Sequence, residues 1–186
     1  VKAKGSFLDS KRVIVTAAPH QSGKDEYLMI LMILALDIDV CYLSAKWTMR
    51  RIPIPFIKPK DIDNQGIPWP LGWLQEIVFR KFGAIPVDRK GNSGQYDSVV
   101  QELLKRDNFL LIITPEGRFD ATRFRSSFLY LAKELEAEVM PVQIDYEHNT
   151  LKFLESLNLD GSEEEVIQRL RSCFDGIKGR KSRFKA

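Results

Sequence analysis

Apolar residues gather in five short runs that have the length and the residue types of buried β-strands. Runs of this kind, rich in branched aliphatic side chains, are typical of strands covered on both faces. They are Arg12–Ala18, Val40–Ala45, Ala84–Val87, Phe109–Thr114 and Val139–Ile144. The short stretch Leu151–Phe153 is predicted to pair with the last of them.

Between these runs, apolar positions recur at the three- and four-residue spacing of helices. The predicted helices are Lys24–Asp37, Trp69–Phe82, Ser93–Arg106 and Ser126–Glu136. A last helix is predicted to begin after Ser162, whose side chain caps it, and to end near Phe174. The alternation predicts an α/β fold: a single layered domain over residues 1–186, with a mixed, largely parallel central sheet flanked by helices.

The composition is that of an ordinary globular domain and narrows the range of partners. With 186 residues, 44% of them hydrophobic, the chain can bury one core. The formal net charge of +3 is only mildly basic, so no nucleic-acid partner is predicted. The basic tail 178–186 is expected to be solvated. Cys41 and Cys173 form no disulfide pattern, which favours a reducing compartment.

The apolar segments are too short to predict a transmembrane helix. The longest run, Tyr27–Leu36, has about half of the roughly twenty residues that a bilayer requires, and the N-terminal residues do not resemble a signal peptide. We therefore expect a cytoplasmic protein that is peripherally membrane-associated. The segment with Trp69, Leu71 and Trp73 is the predicted membrane contact, aided by nearby basic residues. A connection that packs in the core is the alternative interpretation.

The residues that follow the first strand suggest a general base. His20 comes directly after Arg12–Ala18, at the end of a strand where catalytic groups of α/β proteins gather. Asp25 is five residues further on, so the two side chains meet only if His20 lies in the loop and Asp25 in the first helical turn. A histidine oriented by a carboxylate can remove a proton from a hydroxyl, which is worth roughly 10²–10⁴ in rate.

Two other interpretations compete for the same loop. Ser22 and Asp25 also have the spacing of a capping box, in which Asp25 serves only the helix, and a loop histidine is often without function. A phosphate-binding loop requires glycine where the chain has Ala18, and serine or threonine at Asp25. The phosphate-loop interpretation therefore fails at both positions.

Four sequence blocks in order resemble the lysophospholipid and glycerol-phosphate acyltransferase family, and the resemblance covers about residues 13–146. The first block, at 18–25, has a histidine and an aspartate separated by four residues. The others are Gly-Ala-Ile-Pro-Val-Asp-Arg at 83–89, Pro-Glu-Gly-Arg at 115–118 and Val-Met-Pro-Val at 139–142. Arginines just past two of the strands fit an anionic acceptor, because guanidinium groups bind phosphate in a bidentate manner.

The resemblance implies direct acyl transfer from acyl-CoA or acyl-carrier protein to the hydroxyl of a lysophospholipid or a glycerol-phosphate-like acceptor at a membrane surface. It also implies the fold of that family. His20 is the implied base and Asp25 its orienting group, with no covalent intermediate, no metal and no cofactor. The implied substrate-binding residues are Arg89, Glu116, Gly117, Arg118, Lys46 and Pro141.

The chain departs from the family pattern at two places. Lys24 comes directly before Asp25, where an aromatic residue is frequent in the family. Arg118 follows Gly117 immediately, where a small hydroxyl residue commonly intervenes, so Arg123 or Arg125 is a candidate to share its role. Two other functions remain open: a non-catalytic lipid- or acyl-carrier-binding domain, and a thioester hydrolase that uses water as acceptor. His148 is expected to be exposed and non-catalytic.

Overall fold

The computed structural model describes residues 12–20, 40–52, 67–87, 94–116, 123–148 and 150–178. The predicted helix Lys24–Asp37 lies outside the described residues, and so does most of the basic tail. The chain divides into two compact units. One combines the described residues of 1–39 and 107–186, and the other contains those of 40–106.

The secondary structure follows the predicted order of elements. The strands are β1 (Arg12–Ala18), β2 (Val40–Ala45), β3 (Arg51–Ile52), β4 (Ile67–Pro68), β5 (Ala84–Val87), β6 (Phe109–Ile113), β7 (Glu138–Asp145) and β8 (Thr150–Phe153). The helices are α1 (Gly72–Lys81), α2 (Gly94–Leu104), α3 (Ser127–Leu135) and α4 (Glu163–Ser172), with a 3₁₀ helix at Lys46–Met49. The predicted bounds of β1, β2 and β5 are confirmed residue for residue, whereas α1 begins three residues later than predicted.

In the first unit, β1 lies between two strands that run parallel to it. β6 pairs with one side of β1 and β7 with the other, and β8 adds an antiparallel strand to β7, which confirms the predicted pairing of Leu151–Phe153. All of Val13–Ala18 is buried, as expected for a strand covered on both faces. Helix α3 packs near β1, and the Leu135 carbonyl accepts a 3.2 Å hydrogen bond from Arg12 Nη1.

In the second unit, β2 and β5 form a parallel pair that depends on a glycine. The backbone N–H of Tyr42 donates to the Gly83 carbonyl at 3.0 Å. Gly83 has a φ of +84°, and a Cβ there would lie 2.0 Å from the Val40 carbonyl oxygen. Both the left-handed conformation and the close approach require glycine. Three parallel pairs and the antiparallel β7–β8 pair confirm the predicted α/β class with a mixed, largely parallel arrangement of strands.

Helix α4 begins with the predicted cap. Ser162 Oγ accepts a hydrogen bond from the Glu165 backbone N–H at 3.3 Å, and the Glu165 carboxylate accepts one from the Ser162 N–H at 2.8 Å. This reciprocal arrangement satisfies two N–H groups that the helix itself leaves without partners. Val166 and Leu170 on the buried side then anchor the helix.

We expect Ser162→Ala to lower the free energy of unfolding by about 1 kcal/mol, because the first turn of α4 loses its side-chain acceptor. Urea-induced unfolding followed by circular dichroism measures the change. Ser172→Ala, at the other end of the same helix, is the matched control and should be near neutral. Equal destabilisation by both variants would contradict a specific role for the cap.

Candidate active site

The ends of two neighbouring parallel strands bring together the first and third sequence blocks. In β1 and β6, Thr16 lies opposite Ile113, and the strands run in the same direction. Their carboxyl ends therefore lie at the same edge of the sheet, where ligands of open α/β sheets bind. His20 follows β1 by two residues, and Glu116 follows β6 by three.

A buried hydrogen bond joins these two residues. The backbone N–H of His20 donates to Glu116 Oε2 at 2.8 Å. Glu116 is 2% exposed and His20 is 8% exposed, so the contact is shielded from water. A buried carboxylate is costly unless it accepts hydrogen bonds, and a backbone N–H is a strong donor to a charged acceptor. The bond therefore fixes the main chain of the His20 loop against the turn that carries Glu116.

The chain returns to Glu116's turn after the third block. The backbone N–H of Arg125 donates to the Pro115 carbonyl at 2.8 Å. Beside it, Phe124 is buried and makes an edge-to-face contact with Phe174, with 5.8 Å between the ring centroids. The guanidinium of Arg171 lies 5.9 Å above the centre of the Phe124 ring. These contacts anchor residues 123–125 beside the turn that carries Glu116.

Of the predicted substrate-binding residues, the described part of the chain contains Glu116, Pro141 and Lys46. Pro141 is buried in β7, beside Thr16 of β1. Lys46 is exposed at the start of the 3₁₀ helix, in the other unit. Asp25, Arg89, Gly117 and Arg118 lie outside the described residues, and their roles stay predictions. The side chains of Arg123 and Arg125 are exposed, and the shared role suggested for them also stays a prediction.

Among the described residues, no group of three histidine, cysteine, aspartate or glutamate side chains is close enough to hold a metal ion. Within the same ranges, no helix is both long and apolar enough to cross a membrane. The predicted membrane-contact residues differ in exposure. Leu71 is 46% and Trp73 is 56% exposed. Trp69 is half-buried, and its Nε1–H donates to Gln75 Oε1 at 2.9 Å.

The second histidine of the chain, His148, lies in the turn after β7 and is exposed, as predicted. Its Nδ1 is 2.7 Å from Asp145 Oδ2, and 69% of its side chain is accessible. The hydrogen bond with the carboxylate raises the pKa of His148 above its ordinary value and lowers that of Asp145. Asp145 Oδ1 also accepts from the backbone N–H groups of Glu147 and His148, which is typical of a turn.

We expect Asp145→Asn to lower the pKa of His148 towards its ordinary value. The carboxylate favours the protonated imidazole, so its neutral replacement makes the proton easier to lose. A proton NMR titration measures the shift, because the chain has only two histidines and His148→Ala assigns the signal. Asp160→Asn, at another exposed carboxylate, is the control. An unchanged pKa in Asp145→Asn would contradict the contact.

Comparison with known proteins adds one match. The family model described as Acyltransferase matches residues 70–145, which confirms the family resemblance over these residues. The matched range contains the blocks at 83–89, 115–118 and 139–142, whereas the block at 18–25 precedes it. No individual curated protein matches the chain.

Proposed function

We propose that the chain transfers a fatty-acyl group from acyl-CoA or acyl-carrier protein to a hydroxyl of a lysophospholipid or glycerol-phosphate-like acceptor, since residues 70–145 match the acyltransferase family model. One observation carries the proposal. The buried bond from the His20 backbone to Glu116 ties the candidate base, which precedes the matched range, to a residue inside it. The candidate base and the segment that matches the acyltransferase model thus lie at one edge of the sheet, which supports the proposal.

In the proposed reaction, His20 removes the proton from the acceptor hydroxyl as the oxygen attacks the thioester carbonyl. A carbon–oxygen bond forms, the carbon–sulfur bond breaks, and the imidazolium returns its proton to the departing thiolate. Asp25 orients the imidazole and stabilises its charged form. The bond to Glu116 holds the His20 main chain in place, so little reorganisation is needed when the acceptor binds.

The proposed acceptor carries a phosphate or a similar anionic group. Arg89 and Arg118 supply guanidinium groups for bidentate contacts, and Gly117 allows the backbone to approach closely. Lys46 and Pro141 complete the proposed set of acceptor-binding residues. Glu116 contributes to the site by holding the His20 main chain at the strand end. The reaction needs no metal or cofactor, because the proton moves between groups already present and the thioester is itself activated. Lysophospholipid acceptors are found in bilayers, so we propose that the protein acts at a membrane surface.

Thioester hydrolysis is the second candidate, since the same base could activate water. The observation that bears on it is the burial of His20, which is only 8% exposed. Limited access of bulk water to the base favours a bound hydroxyl over free water as the acceptor. Product analysis separates the two reactions, because hydrolysis releases free fatty acid and transfer yields an ester.

The test is an acceptor panel with the purified chain. Labelled acyl-CoA and acyl-carrier protein are each combined with lysophospholipids, with glycerol phosphate and with no acceptor, and the products are separated and weighed by mass spectrometry. We expect an acylated product with at least one anionic acceptor. Free fatty acid as the main product would favour the hydrolase. Binding of thioesters or lysolipids without turnover would favour a non-catalytic binding domain.

A further inference from the structure

Helix α1 turns an apolar side towards solvent. Its exposed apolar residues recur at helical spacing and lie on one side of the helix. Trp73 is 56% exposed, Ile77 54%, and Leu74 and Val78 42% each. We call these four residues the apolar face of α1. Ile67, Leu71 and Phe82, which flank the helix in sequence, are also exposed.

The opposite side of α1, which carries Gln75 and the half-buried Phe79, contacts the protein. Gln75 accepts from Trp69 Nε1 and donates through Nε2 to the Arg51 carbonyl at 3.2 Å. Gly72 is buried, and a Cβ there would lie 2.7 Å from the Arg50 carbonyl oxygen. These polar and close contacts hold the helix in an orientation opposite to that of an ordinary amphipathic surface helix, which turns its apolar side inward.

Basic side chains border the apolar face. Arg80 contacts Glu76 at 2.9 Å, and Arg50 contacts the same carboxylate. Hydrogen bonds from Arg50 and Arg80 lower the pKa of Glu76, while more than half of each arginine side chain stays exposed. In the described ranges 40–52 and 67–87, Glu76 is the acidic residue, and the basic residues are Lys46, Arg50, Arg51, Arg80 and Lys81.

An exposed apolar patch with a basic border marks an interaction site. Its composition favours a lipid surface over a protein partner: tryptophan prefers the headgroup level of a bilayer, and lysine and arginine beside it attract anionic lipid. Each basic residue near such a surface adds a similar amount to the free energy of binding. The excess of positive charge in these ranges is complementary to an anionic membrane.

We propose that the apolar face of α1 docks on an anionic bilayer, with Trp73 and Ile77 in the interface and with Arg50, Arg80 and Lys81 at the phosphate groups. The purpose of this docking rests on the proposed function, because it would hold the protein at the membrane that contains lipid acceptors. Docking itself requires no catalysis, so it can be measured without an acyl donor.

The experiment is co-sedimentation of the whole chain with vesicles of equal parts phosphatidylglycerol and phosphatidylcholine, and with vesicles of phosphatidylcholine alone. We expect stronger binding to the anionic vesicles. The double variant Trp73→Gln with Ile77→Gln should weaken it by roughly tenfold or more, and Lys81→Glu should weaken binding to anionic vesicles selectively. Leu104→Gln, at an exposed leucine of α2, is the matched control and should bind like the wild type.

Three results would overturn the docking proposal. They are wild-type affinity in the double variant, equal binding of the wild type to both kinds of vesicle, and a wild-type dimer that the double variant dissolves, measured by sedimentation equilibrium. The dimer would show that a second copy of the chain covers the face. Acyl transfer to water-soluble glycerol phosphate is assayed separately. A variant that fails to bind vesicles but keeps this activity supports docking, and a wild type that binds vesicles but transfers nothing contradicts only the proposed function.

Discussion

Replacing His20 with alanine lowers the rate of acyl transfer by about 10²–10⁴, the usual contribution of a general base. The hydroxyl of the acceptor is a poor nucleophile until it loses its proton, and the His20 imidazole is the group that we propose accepts this proton. Initial rates with a saturating thioester donor measure the effect. The backbone bond to Glu116 does not depend on the His20 side chain, so the fold of the loop should persist.

The matched control for this prediction is the second histidine. His148 is exposed, lies in a turn after β7 and is paired with Asp145, so His148→Ala should keep the wild-type rate. Circular dichroism and thermal unfolding establish that both variants are folded. A folded His20→Ala protein with wild-type activity would contradict the assignment of His20, and a large loss in His148→Ala would move the base to the other histidine.

Replacing Glu116 with alanine has the second large effect, on stability and on catalysis together. The His20 N–H would remain buried without its acceptor, which costs about 1–3 kcal/mol of unfolding free energy. A shift of the His20 loop by about 1 Å would lower the transfer rate by about a hundredfold. Urea unfolding and initial rates measure the two effects on the same protein.

Glu116→Gln separates positioning from charge. Glutamine keeps an oxygen that can accept the hydrogen bond from the His20 N–H, so most of the stability and most of the activity should return. A glutamine variant as stable as the wild type but as inactive as the alanine variant would contradict a purely positioning role. It would show that the negative charge of Glu116 acts on the substrate.

Much of the fold could be predicted because its central strands consist largely of apolar residues. β1, β2 and β5 are short, continuous runs with few competing interpretations, and their bounds agree with the structure. The start of α1 is harder to predict. Trp69 continues the helical spacing of apolar residues towards the N-terminus, but the backbone at Trp69 and at the prolines beside it is not helical. The chain makes the short strand Ile67–Pro68 there before α1 begins at Gly72.

The sequence predicts that the residues of the candidate site lie at the ends of strands. His20 and Glu116 each follow an apolar run that predicts a strand. Because these two strands, β1 and β6, are parallel neighbours in the sheet, both residues lie at the same edge of it. The sequence does not predict that Glu116 accepts a hydrogen bond from the His20 backbone, because the family resemblance implies only a substrate-binding role for Glu116. A main-chain N–H is present at almost every residue, so a hydrogen bond to it cannot be predicted from the residue types.

The orientation of α1 also could not be predicted from the sequence. Trp73, Leu74, Ile77 and Val78 have the spacing of one helix side, and periodicity alone normally assigns such a side to the core. Only the contacts of Gln75 and Gly72 with Arg51 and Arg50 show that the other side of the helix faces the protein. The docking proposal therefore adds Leu74, Ile77 and Val78 to the residues that the sequence suggests for membrane contact.

The most direct measurement follows CoA release and acylated product together, in the wild type and in His20→Ala, with acyl-CoA and the best acceptor of the panel. Direct transfer predicts that each CoA released by the wild type is matched by one acylated acceptor, and that both rates fall together in His20→Ala. Acylated product formed at the wild-type rate by folded His20→Ala, or CoA release matched by free fatty acid, would contradict acyl transfer with His20 as the base.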